Sequence, residues 1–144
     1  NVEAVKRCLF NGEAIWLEGI ADKWFAPETR AQIALNRRIM RENRQCFASD
    51  YVEALVPTLL SGIYANEFAE HPDLLGKTCW TIYNTNYRTV RGEVIAVDHA
   101  PGAQYLDELT GRPLEPRVVG SKAYLTLDLA PRDVVVISRG IYVK

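Results

Sequence analysis

No stretch of the chain reaches the roughly 18 consecutive apolar residues that a membrane-spanning helix requires, so no transmembrane helix is expected. C-x-x-C pairs are also missing. The three cysteines, Cys8, Cys46 and Cys79, stand far apart and are odd in number, which argues against a zinc site and a full disulfide framework. Three buried free thiols are the expectation. Charge of one sign is lacking too: 17 Lys and Arg stand against 18 Asp and Glu, a net of −1. That excludes a strong global field for nucleic acid or an anionic membrane surface. The chain opens NVEAVKRCLF, with no initiator Met and no basic-then-apolar leader. A fragment or a processed product is therefore expected, and the cellular compartment is not legible.

What is present is globular. Apolar residues make up 48 % and charged residues 24 % of the 144, a composition that can bury a core in one ordinary domain or two small parts sharing one. The stretch that organises the rest is Lys77–Val97, KTCWTIYNTNYRTVRGEVIAV. It reads as two strands joined by a turn at Asn84-Thr85-Asn86, because Asn tolerates left-handed backbone angles. On the first strand Trp80 and Ile82 point one way, and Cys79, Thr81 and Tyr83 the other. On the return strand Val90, Val94 and Ala96 oppose Arg91 and Glu93.

In chain order, Val2–Phe10 carries apolar residues at helical spacing (Val2, Val5, Leu9), and Asn11-Gly12 ends the helix. Ala14–Leu17 is a short continuous apolar run, the pattern of a strand buried on both faces. A second helix begins at Pro27, whose missing N–H costs nothing there, and runs to about Asn43. Its apolar line is Ala31, Leu35 and Ile39, widened by Ala34 and Met40, with arginines on another side. Tyr51–Leu55 reads as a helical turn capped by Asp50 and ended near Pro57. From Leu59 the period becomes two, and short strands follow at intervals of roughly ten residues. They are Gln104–Leu106, Val118–Val119, Ala123–Leu129 and Val134–Ile137, with a Gly-containing hairpin loop at Asp107–Gly111 and a turn at Ala130–Asp133. An antiparallel sandwich or barrel is expected, with the boundary between the two parts near Val56–Leu60.

Several of these pieces resemble the end of a TIM-barrel glycoside hydrolase of the broad α-galactosidase-like kind, running into its C-terminal β-domain. LFNGEAIWLEG, a Trp-containing loop and a Pro-started helix resemble the last helix–strand–helix passage of the barrel. WTIYNTNYRTVRGEV, YLDELTGRPL and LTLDLAPRDVVVI resemble successive strands and hairpins of the β-domain, the last its closing hairpin. The resemblance implies an α+β chain: a helix–strand–helix remnant of a (β/α)8 barrel over residues 1–58, then an antiparallel β-sandwich over 59–144. It implies a C-terminal fragment of an enzyme that cleaves O-glycosidic bonds, with a mainly structural β-domain, inactive on its own. Its partner would be the remainder of the parent enzyme or a second copy, and its ligand a carbohydrate.

Such hydrolysis needs two carboxylates flanking the scissile bond. In the family they come from barrel strands earlier than any in this sequence, so no catalytic residue is assigned here. Glu18, at the end of the apolar run, and Trp24, in the following loop beside Phe25, are the candidate substrate-binding residues, since barrel sites sit at strand ends and aromatic rings stack on sugar faces. A capping carboxylate and a packed aromatic are the plainer readings. The arginine stripe (Arg30, Arg37, Arg41, Arg44, with Arg38) lacks interleaved aromatics and reads as a solvated or interdomain face, not a nucleic-acid site. Asp98 and His99 are adjacent on a strand and point to opposite faces, so they form no dyad. His71 stands among Glu67, Glu70 and Asp73 at poor metal spacing. No metal or cofactor is expected. The alternative is a self-standing, non-catalytic carbohydrate-binding or interaction module, which exposed tyrosines and tryptophans would favour.

Overall fold

The computed structural model describes residues 1–15, 25–73 and 76–141. Helix α1 spans Val2–Asn11, α2 Pro27–Glu42, and the single turn α3 Arg44–Phe47. Nine strands follow: β1 Tyr51–Val56, β2 Ile63–Ala69, β3 Thr78–Asn84, β4 Val90–Asp98, β5 Ala103–Asp107, β6 Pro113–Leu114, β7 Arg117–Val119, β8 Lys122–Leu129 and β9 Val134–Ile141. They form a six-stranded sheet, β1-β2-β3-β9-β5-β6, and a three-stranded sheet, β4-β8-β7, with every pairing antiparallel. The chain is α+β, and the described residues contain no closed barrel.

Three layers result. Helices cover one face of the six-stranded sheet, and the small sheet covers the other. Strand β3 is central and buried along its whole length. Its alternation therefore serves two cores. Trp80 and Ile82 join Ile63, Val94, Ile95, Leu125, Leu129 and Ile137 between the sheets. Cys79 and Tyr83 join Leu9, Ile39, Cys46, Phe68, Val134 and Val136 beneath the helices. Full burial of side chains of this size contributes about 1.5–3 kcal/mol each.

The helices end where the sequence places them. The Asn1 side chain accepts from the amides of Glu3 and Ala4. Gly12 closes α1 in the left-handed region (φ 68°), and a Cβ there would stand 2.7 Å from the Phe68 ring, so both conformation and space call for glycine. On α2 the buried positions are Thr29, Asn36 and Ile39, whereas Ala31 and Ala34 are exposed. The stripe is rotated from the expected one because Asn36 turns inward and donates to the Val5 carbonyl at 2.8 Å, tying α2 to α1.

Three expectations are corrected. First, β3 and β4 are not a hairpin: β3 is paired on both edges, with β2 and β9, so β4 crosses to the other sheet. Asn84 is the corner. It is fully buried, and its amide donates to the carbonyls of Arg88, Leu129 and Ala130 at 3.0–3.2 Å. Secondly, β8 and β9 also lie on different sheets, so the closing hairpin is a second crossover at Pro131–Asp133. The two corners interlock: Asn84 donates its amide to Asp133, and Arg132 donates its own to Asn86. Thirdly, Tyr51–Leu55 is strand, not helical turn, and pairs with β2 along the sheet edge. The six-stranded sheet thus begins at Tyr51. Of the apolar run Ala14–Leu17, Ala14 and Ile15 carry no strand, and the rest lies outside the described residues.

Candidate functional site

Two polar constellations interrupt these cores, one on each face of the six-stranded sheet. Beneath the helices, the loop after β5 brings Glu108 against β9 and β3. Its amide donates to Val136, fixing the loop to the strand. Its carboxylate accepts from the Ser138 hydroxyl at 2.6 Å and lies 3.2 Å from the Lys77 ammonium. Burial pushes this carboxyl up, but Ser138, Asn43 and the Lys77 charge outweigh it and hold it below the ordinary glutamate range. Burial likewise works against the Lys77 cation, yet Glu108 reverses that and holds the ammonium pKa above its usual value. From α2, Arg38 donates to the carbonyls of Glu108 and Leu109, clamping the loop to the helix.

Between the sheets, at the end where β3 begins, the core turns polar. Arg139, 5 % exposed, donates to the Asp98 carbonyl and the Thr78 hydroxyl, and its guanidinium lies 5.2 Å from the Trp80 ring centre. The Trp80 indole N–H donates to Glu67 at 3.1 Å. Glu53 stands directly opposite Glu67 across the β1–β2 ladder. Burial raises the Glu67 carboxyl, the indole hydrogen bond opposes that, and the Glu53 charge adds to it; the net shift is upward. A cleft of about 250 Å³ opens here, with Glu53, Glu67, Trp80, Asp98 and Lys122 on its walls.

Chemically, most of these groups are already engaged by the fold, although Arg139 Nε is buried without a hydrogen-bond partner. The Asp98 carboxylate pairs with Lys122 at 2.6 Å, while His99 hydrogen-bonds the Tyr105 hydroxyl at 2.9 Å, so these neighbours diverge as expected. His71 Nδ1 accepts from the Asp73 amide, and no group of His, Cys, Asp and Glu among the described residues could hold a metal ion. Trp80 is 1 % exposed and offers no platform for a sugar ring. Tyr83 and Tyr105 are buried; Tyr51, Tyr64 and Tyr87 are exposed, Tyr51 edge-on to His71 and Tyr87 beneath Arg132. Tyr142 lies outside the described residues.

The predicted site residues Glu18 and Trp24 also lie outside the described residues, and Phe25 beside them is half-buried. The chain just before them, Glu13 to Ile15, borders a hollow of about 420 Å³ against Ile33, Asn36, Arg37 and Met40 of α2. Of the arginine stripe, Arg30, Arg37, Arg41 and Arg44 are exposed, and Arg38 alone turns to the sheet domain. Sequence reasoning missed Glu108, Lys77 and Arg139. One signal was available: Ser138 and Arg139 are polar residues inside the otherwise apolar strand VVVISRGI.

No protein-family model matches the sequence, and no curated protein matches it. Solved structures do match in fold. Against α-galactosidase I from Mortierella vinacea the TM-score is 0.59 at 9 % identity, over 99 % of this chain and 36 % of that one. Against a β-L-arabinopyranosidase of glycoside hydrolase family 27 from Geobacillus stearothermophilus it is 0.54 at 10 % identity, over 96 % of this chain and 29 % of that one. The chain thus spans about a third of the length of the solved structures it matches, and its fold is that of the C-terminal part of α-galactosidase-like glycoside hydrolases.

Proposed function

We propose that this chain is the C-terminal portion of a glycoside hydrolase that cleaves O-glycosidic bonds. Its leading helical segment, ahead of the sheet that begins at Tyr51, closes a (β/α)8 barrel, and the two sheets that follow brace that barrel without taking part in the chemistry. The observation that carries the reading is the continuity of the fold match, which runs through the helical layer and both sheets in one alignment covering 99 % of the chain. The helical layer supports it. It meets the sheet through a small apolar cluster laced with specific hydrogen bonds, Asn66 and Thr81 both donating to the Phe10 carbonyl. Interfaces between domains of one protein are of this more polar kind.

On this reading the catalytic carboxylates belong to barrel strands supplied by the remainder of the parent enzyme, and the partner of this chain is that remainder. Glu18 and Trp24 are the residues of this chain to test for sugar contact. The experiment is to express the whole open reading frame that encodes this chain and assay it on aryl α-galactosides and aryl β-L-arabinopyranosides. Hydrolysis by the full product and none by residues 1–144 is the expected pair of results. A full product no longer than this chain, or a longer one lacking paired carboxylates at barrel strand ends, overturns the reading. The self-standing binding module then takes its place, with a glycan array as its test.

A further inference from the structure

The polar mouth between the sheets is concave. Glu53, Glu67 and Trp80 stand in one row across β1, β2 and β3. Asp98 of β4 and Lys122 of β8, a register pair in the small sheet, are further walls of the same cleft of about 250 Å³. A smaller hollow of about 110 Å³ adjoins it. Glu67 and Asp98 line both, and Arg139, Thr78 and His71 line the second. Two sheets thus shape one groove, and strands hold side chains more precisely than loops do.

Two groups in this groove are left over by the fold. Arg139 is 5 % exposed, and its terminal nitrogens donate to the Asp98 carbonyl and the Thr78 hydroxyl. Its Nε–H is buried as well and has no acceptor. Native folds leave few buried donors unpaired, so each one calls for a partner. Glu53, directly opposite Glu67, makes no hydrogen bond or ion pair among the described residues.

We propose that this groove binds a neutral, hydroxyl-rich ligand the size of a monosaccharide. The walls select that class. An anion meets the carboxylates of Glu53, Glu67 and Asp98. An organic cation meets Lys122 and Arg139 and leaves the Nε–H without an acceptor. A metal ion finds no competent set of ligands among the described residues. An apolar ligand strips water from the carboxylates and returns no hydrogen bond. A hydroxyl alone both donates and accepts. Sugar hydroxyls donate to Glu53 and Glu67, and a sugar oxygen accepts from Arg139 Nε where the smaller hollow meets it. Lys122, paired with Asp98 at 2.6 Å, has other protons for the remaining oxygens. Val56 and Pro57 add apolar wall for the C–H face. The cleft is smaller than the roughly 300–1,000 Å³ of drug-sized sites, which limits the ligand to about one ring. The groove is built by the two sheets and their connections, so it is present whether or not the chain belongs to a longer enzyme.

The test is to label the full product of the open reading frame with heavy nitrogen and titrate it with D-galactose, L-arabinose and myo-inositol, and separately with putrescine and sulfate. The Trp80 indole N–H and the Arg139 Nε–H are the reporters. Saturable shifts of both with at least one of the three polyols, and none with putrescine or sulfate, are expected. Glu53→Ala should weaken binding at least about tenfold, the effect of losing hydrogen bonds to a charged group. Arg139→Lys, which removes Nε, should do the same. No shift with any polyol up to its solubility, matching shifts with putrescine or sulfate, or unaltered affinity in Glu53→Ala would each overturn the proposal. If Arg139→Lys fails to fold, Glu53→Ala, a change on the exposed edge strand, decides alone.

Discussion

The two faces of the six-stranded sheet are held by different means. The inner face meets the small sheet through Trp80, Ile82, Ile137 and their neighbours, with charge admitted only at the mouth around Arg139 and Glu67. The outer face meets the helices through a smaller apolar cluster laced with directed bonds: Asn66 and Thr81 to Phe10, Arg38 to the loop carbonyls, and Lys77 and Ser138 to Glu108. The first is cemented by area and the second by matching partners. One sheet thus carries a broad apolar core on one side and a smaller, hydrogen-bonded one on the other, and the carboxyls of buried Glu108 and half-buried Glu67 are displaced in opposite senses.

The largest expected effect breaks the inner face. Trp80→Ala should cost about 3–5 kcal/mol, transfer and cavity terms together, and unfold both sheets in one transition by circular dichroism. Next comes the outer face. Glu108→Gln leaves the Lys77 ammonium without its counter-ion and should cost about 2–3 kcal/mol. Hydrogen exchange should locate the loss in α2 and the β5–β6 loop, with β4 and β8 unchanged; a uniform loss would erase the distinction between the faces.

A smaller effect has the opposite sign. The folded-state pKa of Glu67 is raised, so its ionisation destabilises the fold as pH rises through that value. Glu67→Gln keeps an acceptor for the Trp80 indole and should stabilise by less than about 1 kcal/mol at neutral pH, with the gain vanishing in acid. Glu108 behaves in reverse. Its folded pKa is depressed, so its contribution is complete above the ordinary glutamate range near about 4.3 and is lost as pH falls through the lower folded value. Acid should therefore loosen the helical layer before the sandwich, measured as the order in which amide protection disappears. The smallest effect is a control. Arg117 pairs with Glu93 on the open surface of the small sheet, and Arg117→Ala should leave the melting temperature unmoved.

Much of this comparison was legible before any coordinates. Alternation along KTCWTIYN assigned Trp80 and Ile82 to one side and Cys79 and Tyr83 to the other, which are the two cores observed. Both long helices begin and end at their Asn, Pro and Gly signals. What failed was pairing. An Asn-rich turn serves a hairpin and a sandwich corner equally well, and only burial of Asn84 with three carbonyls to satisfy distinguishes them. Tyr51–Val56 escaped recognition because an edge strand exposed on both faces has no period to read. Glu108 and Arg139 escaped because their partners lie 30 to 61 positions away in sequence, where no local pattern reaches.

The position of β9 has a further consequence. It is the last strand of the described residues, yet it inserts between β3 and β5 and joins the two halves of the large sheet. Until it leaves the ribosome, β3 and β5 each present an open edge and the cluster beneath the helices lacks Val134 and Val136. Lys6 near the start of the chain waits for Asp133 near its end. Such long-range closure folds slowly, and a nascent chain halted after β8 exposes sticky edges. Completion of this fold therefore waits for β9, and stop codons ahead of Val134 should yield aggregates in place of shortened domains.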